Sequence, residues 1–102
     1  GRRIHQGIDV AANTGTPVFA TADGVVARVD YSGGYGKTVV LDHGYGYRTL
    51  YAHNSRILVK RGTRIQRGDK IAEVGNTGRS TGPHVHYEVQ LNGVPIDPRN
   101  SL

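Results

Sequence analysis

Every apolar run in this chain is short and is closed within a few residues by Gly, Asn, Asp or Pro. No window of roughly 11 residues or more repeats apolar side chains at i, i+3, i+4 and i+7, the spacing that one face of a buried helix requires. The runs are instead β-rich, and they predict strands over 7–10, 17–20, 24–30, 37–42, 48–53, 57–59, 70–74, 84–91 and 94–96. Between them fall turn signals such as Asn13-Thr14-Gly15, Ser32-Gly33-Gly34 and Asn76-Thr77-Gly78. Asn92-Gly93, set between two such runs, predicts a two-residue hairpin. Strands recurring about every ten residues indicate an all-β, antiparallel sandwich or barrel.

With 102 residues, the chain has room for one hydrophobic core, so 1–102 reads as a single domain. It opens on Gly and contains no Met, which reads as a domain cut from a longer precursor. No apolar run approaches the length of a membrane span, and no secretory h-region is present. The absence of Cys excludes a disulfide scaffold, a thiolate metal site and a thiol nucleophile. Thirteen Lys and Arg against eight Asp and Glu give a net charge of +5, which favours polyanionic partners. The cations at Lys60, Arg61, Arg64, Arg67 and Lys70 have no interleaved aromatic residues. They therefore read as a solvated face, not as a nucleic-acid platform with its stacking rings.

Apolar and turn residues alternate in Val59-x-x-Gly62-x-x-Ile65-x-x-Gly68-x-x-Ile71, a rhythm similar to lipoyl and biotinyl carrier domains. Lys70, however, leads straight into an apolar run and reads as the start of a strand, not as a modified hairpin tip.

The five histidines are the chemically informative residues. His5 and Asp9 lie four apart, on one side of an extended chain. His84 and His86 flank Val85 and point to one face of a strand, with Val85 and Tyr87 on the other. In the same way Thr49, Tyr51 and His53 are expected to share a face. His43, before Gly44 in a turn, reads as structural or exposed. Neutral imidazole and carboxylate are both good zinc ligands, and a catalytic zinc takes about three protein ligands with one position open to water. His5, Asp9 and one member of the His84/His86 pair supply that set, although spacing does not say which member. The other member and His53 remain to handle protons. A cupin arrangement fails, because Glu88 follows too soon after His86 and no later His exists.

Three segments together carry a family resemblance: His5-Gln6-Gly7-Ile8-Asp9, Tyr51-Ala52-His53, and Gly75-Asn76-Thr77-Gly78-Arg79-Ser80-Thr81-Gly82-Pro83-His84-Val85-His86. In this order they resemble the M23 peptidases, zinc metallopeptidases of the LytM and lysostaphin type. The similarity continues through Gly15-Thr16-Pro17-Val18, Ala22-Asp23-Gly24-Val25-Val26 and Gly34-Tyr35-Gly36 to the closing Ile96-Asp97-Pro98. The resemblance implies a compact antiparallel β domain with a duplicated-hybrid-motif core. It also implies Zn²⁺ held by His5, Asp9 and His86, with His53 and His84 as the catalytic pair. The implied activity is endopeptidase cleavage of bacterial peptidoglycan stems or cross-bridges by a monomeric domain of a larger envelope protein, periplasmic or extracellular. A catalytically inactive relative that binds the wall or activates an amidase is the alternative. Such relatives have typically lost a ligand or the second His, whereas all five positions are filled here. Either a D-Ala–diaminopimelate link or a glycine bridge is compatible, with a slight preference for the direct link. Tyr35, Tyr45 and Tyr47 are candidates for lining the groove or for half-buried sheet positions.

Overall fold

The computed structural model describes residues 7–97. Nine strands run through them: β1 (Ile8–Ala11), β2 (Pro17–Phe19), β3 (Gly24–Ser32), β4 (Gly36–Gly44), β5 (Tyr47–Ile57), β6 (Arg64–Ile65), β7 (Lys70–Val74), β8 (His84–Leu91) and β9 (Val94–Ile96). No helix occurs among the described residues, as the missing 3.6-residue period predicts. All pairings are antiparallel.

The main sheet has the order β1-β8-β5-β4-β3-β6, and β9 extends β8. A second leaf leaves this path at β5, whose far end pairs with β7, which in turn pairs with β2. Both leaves contribute to one core: Val18 from β2 and Ile71, Ala72 and Val74 from β7 pack with Val26, Val39, Leu41 and Tyr51 of the main sheet. The leaves therefore close on each other as a sandwich does. β4 is buried on both faces, with Val39 and Leu41 in that core and Val40 in a smaller cluster with Leu50 and Ala52. The smaller cluster, on the opposite face of the main sheet, is the floor on which the site is built.

Asn92 and Gly93 both have positive φ (52° and 83°), as the predicted tight hairpin demands, and Leu91 pairs with Val94 across them. Two expectations need correction. The predicted strand over 57–59 is not separate: β5 runs on through Ile57, and Leu58 leaves it by donating its N–H to the carbonyl of Ile71 (2.9 Å). β6, two residues long, is too short for a periodic signal and was not predicted. Lys70 does open a strand, and its ammonium pairs with Glu73 at 3.1 Å.

Candidate active site

β8 organises the site. Alternation turns His84 and His86 into a cleft, while Val85 and Tyr87 pack against the main core. On one side β1 places Asp9 opposite His86 and Ala11 opposite His84. On the other side β5 places Ala52 opposite His86. The pairing of β1 with β8 is close at its start. A Cβ on Gly7 would lie 2.3 Å from the carbonyl oxygen of Tyr87 and 3.1 Å from the His86 ring, so only glycine fits there. Asp9, His53, His84 and His86 thus line one cleft of about 490 Å³.

His53 reaches this cleft against simple alternation. Tyr51 sits in the main core and Thr49 donates to its hydroxyl (2.9 Å), so a regular strand would turn His53 the same way. The expectation that these three share a face is therefore corrected. The backbone of His53 takes φ +64°, beside the register shift between Asn54 and Arg56. Its N–H donates to the carbonyl of Tyr35 (2.7 Å). Positive φ in a residue bearing a Cβ is strained and is held only where the surroundings impose it. Here it carries the imidazole across the sheet, to 4.7 Å from the His84 ring and 6.2 Å from the His86 ring, centroid to centroid.

Each imidazole has one nitrogen committed to the protein. Nδ1 of His53 lies 2.7 Å from the carbonyl oxygen of Thr77, and Nδ1 of His84 lies 2.8 Å from that of Gly82. A carbonyl can only accept, so both Nδ1 atoms carry hydrogen and both Nε2 atoms are left as lone-pair donors. Nε2 of His84 points at Oδ1 of Asp9 from 3.7 Å. His86 is held the other way round. Its Nε2 donates to Oε2 of Glu88 (2.8 Å), and its Nδ1 faces Oδ1 of Asp9 (2.7 Å). The loop that supplies Thr77 and Gly82 is pinned to β4. Gly78 has φ +74°, and a Cβ there would meet the Gly36 nitrogen at 2.3 Å.

Glu88 is 1% exposed, and a buried carboxylate needs partners. It accepts from His86, from the Tyr35 hydroxyl (2.5 Å) and from Gln90 (3.1 Å). Burial alone would raise its pKa, but these three donors hold it below the ordinary carboxylate value. The Tyr35 hydroxyl is pushed up to about 12 by burial and by the Glu88 charge, so it remains a donor. Asp9 is likewise held low: the hydrogen bond from His86 and the imidazoles around it outweigh the cost of its burial. His86 is raised, first by its bond to Glu88. His53 is lowered, first by burial, with the neighbouring His84 and His86 adding to the shift, so its neutral form is favoured.

The sequence reading omits Glu88 from the site, and it includes Thr77 and Gly82 only within the family motif, without their carbonyls' role. Glu88 was within reach, since it lies two residues past His86 on the same strand face. The two carbonyls leave no trace in side-chain chemistry. Tyr35 lines the cleft and stacks on His86 with centroids 5.6 Å apart. Tyr45 is 98% exposed, and Tyr47 lines a separate pocket. His43 lies away from the cleft, bonded to the Asp23 carbonyl and the Thr49 hydroxyl, each at 2.6 Å. His5 lies outside the described residues.

Among the described residues no group of three or more His, Cys, Asp and Glu side chains is shaped to hold a metal ion. Asp9 and His86 nevertheless fit zinc in kind. They offer one carboxylate oxygen and one imidazole nitrogen, 2.7 Å apart and at the edge of a cleft. The second nitrogen of His86 is tied to a buried carboxylate, the outer partner that zinc-binding imidazoles usually have.

Comparison with known proteins places the chain in a family. The chain is 51% identical over 96 residues to the DD-carboxypeptidase/endopeptidase Mpg of Neisseria meningitidis, covering 94% of this chain and 22% of that protein. It is 48% identical over 96 residues to the peptidoglycan DD-endopeptidase ShyA of Vibrio cholerae, covering 91% and 22%. The chain thus spans about a fifth of the length of the curated relatives it matches. A crystal structure of a zinc-containing peptidase from Vibrio cholerae superposes with a TM-score of 0.87 at 44% identity, over 90% of this chain and 28% of that one. The model of peptidase family M23 matches residues 3–98, nearly the whole chain, and the chain belongs to that family.

Proposed function

We propose that this domain is a zinc metalloendopeptidase that hydrolyses peptide cross-links of bacterial peptidoglycan in the cell envelope, with His5, Asp9 and His86 as zinc ligands and His53 and His84 as the proton-handling pair. The observation that carries the reading is the shared direction of the three imidazoles. Each has one nitrogen fixed to a protein acceptor and the other turned toward Asp9 or the cleft. A structural cluster has no need of such orientation.

When bound, zinc polarises the scissile carbonyl and lowers the pKa of its water toward neutrality. The chain's own residues supply the rest. Glu88 keeps hydrogen on Nε2 of His86, so Nδ1, which faces Asp9, is the nitrogen that would bind the metal, giving up its own hydrogen as it does so. His53, favoured as the neutral base, presents Nε2 to the cleft and accepts the proton of the attacking water. His84 presents its own Nε2 4.7 Å away, ring to ring. Once it has taken the proton, His53 is an Nε2–H donor that can stabilise the developing oxyanion and then return that proton to the leaving amine. The net charge of +5 draws the domain to an anionic wall.

The test is zinc content together with turnover of defined cross-linked muropeptides, read by mass spectrometry. One zinc per chain with cleavage at the peptide cross-link upholds the proposal. One zinc per chain without hydrolysis reassigns the domain to wall binding.

A further inference from the structure

Of the described side chains around the cleft, Arg79 is the sole Lys or Arg, and the mechanism above does not use it. Its backbone is firmly placed. The Arg79 N–H donates to the carbonyl of Gly34 (2.9 Å). Just before it, the Thr77 hydroxyl donates to the Asn54 carbonyl (2.6 Å) and accepts from the Lys37 N–H (3.1 Å). The guanidinium, by contrast, pairs with no carboxylate among the described residues. Asp9, the acid that lines the cleft with it, is already engaged by His86. An exposed guanidinium at the rim of the cleft, on an anchored loop and with no carboxylate partner among the described residues, is open to a planar anion from outside the chain.

We infer that Arg79 is a specificity-determining residue that binds a free carboxylate of the substrate next to the scissile amide; the inference rests on the proposed peptidase activity. In a direct D-Ala–diaminopimelate link, the carbon bearing the amide nitrogen also bears a carboxylate. That places an anion on the carbon next to the amide nitrogen. The interior of a glycine bridge has no such anion. Arg79 therefore selects direct, carboxylate-bearing cross-links over neutral bridges, and it acts in binding, apart from the proton transfers of His53 and His84.

The test compares three substrates with the zinc-loaded protein: a direct cross-linked dimer, the same dimer with that carboxylate amidated, and a glycine-bridged dimer. The acid dimer is expected to be favoured in kcat/KM on the order of 10- to 100-fold, as for one charged hydrogen-bonded contact, chiefly through KM. Arg79→Gln should remove the preference by slowing the acid dimer alone, with zinc content and melting temperature unchanged, and Arg79→Lys should restore part of it. Equal rates on the acid and amidated dimers, a preference for the glycine bridge, or an equal loss on all three substrates in Arg79→Gln would overturn the inference. If no dimer is hydrolysed, the peptidase reading fails by itself. Binding isotherms of the same compounds then decide the role of Arg79. A preference for the acid dimer that Arg79→Gln abolishes upholds it, and equal affinities overturn it.

Discussion

The two faces of β8 are built from the same eight residues and obey different rules. On the core face, Val85 and Tyr87 pack against the main cluster, and the Tyr87 and Tyr51 rings meet at 5.4 Å. The polar atoms there close on one another: the Tyr87 and Tyr51 hydroxyls both meet the hydroxyl of Thr21, at 3.0 and 3.1 Å. On the cleft face, Glu88 is saturated by three donors, while His84 and His86 are each tied to a protein acceptor through one nitrogen. Each imidazole keeps a nitrogen that is turned toward a neighbouring Asp or open space, and His53 is held in a strained backbone to join them. The core face thus satisfies its polar groups internally, as stability requires. The cleft face leaves donors and acceptors for something outside the chain, as binding and catalysis require.

Substitutions across the strand can break this contrast. The largest effect is expected for His86→Ala, which should remove zinc and bring hydrolysis to background together. If His84→Ala abolished metal binding while His86→Ala retained it, the two roles would be reversed. Next, His53→Ala or His84→Ala should keep stoichiometric zinc and slow turnover by about 10²- to 10⁴-fold, the usual worth of a positioned acid–base group. Glu88→Gln sharpens the contrast further. Glutamine has one acceptor oxygen where Glu88 uses both of its own for three donors. Zinc affinity should fall about 10- to 100-fold, as for loss of an outer-shell partner, and competition with a chelator measures it. Unchanged affinity would reduce Glu88 to a packing residue. On the opposite face, Tyr87→Phe should cost no more than about 1 kcal/mol of stability in denaturant unfolding, with zinc content and turnover intact. A loss of turnover there would show that the two faces are coupled.

Much of the fold was legible because turn chemistry and period-2 patterning act locally. Asn92-Gly93 predicts its own turn, and His84-Val85-His86 predicts its own division between faces. The family motif marks the candidate site residues for the same reason, since the cleft is built on the turns and strand ends that carry it. His53 was placed on the wrong face because its positive φ depends on the β5 bulge and on the Tyr35 carbonyl, both contributed by distant pairing. Gly7 could be read as a small residue, but not as the point where two strands nearly touch.

By itself the sequence determined the strand pattern, the absence of thiolate chemistry and the inventory of imidazoles and carboxylates, because composition and short-range periodicity are properties of the chain alone. The tertiary structure alone decided how that inventory is oriented. The register of β1 on β8 sets Asp9 opposite His86. The carbonyls of Thr77 and Gly82 choose the tautomers of His53 and His84, and Glu88 takes Nε2 of His86 and leaves Nδ1 toward Asp9. Arg79 reaches the same cleft without a counter-ion. Hydrogen-bond direction and charge pairing are set between groups far apart in the chain, and only the folded backbone brings them within reach of one another.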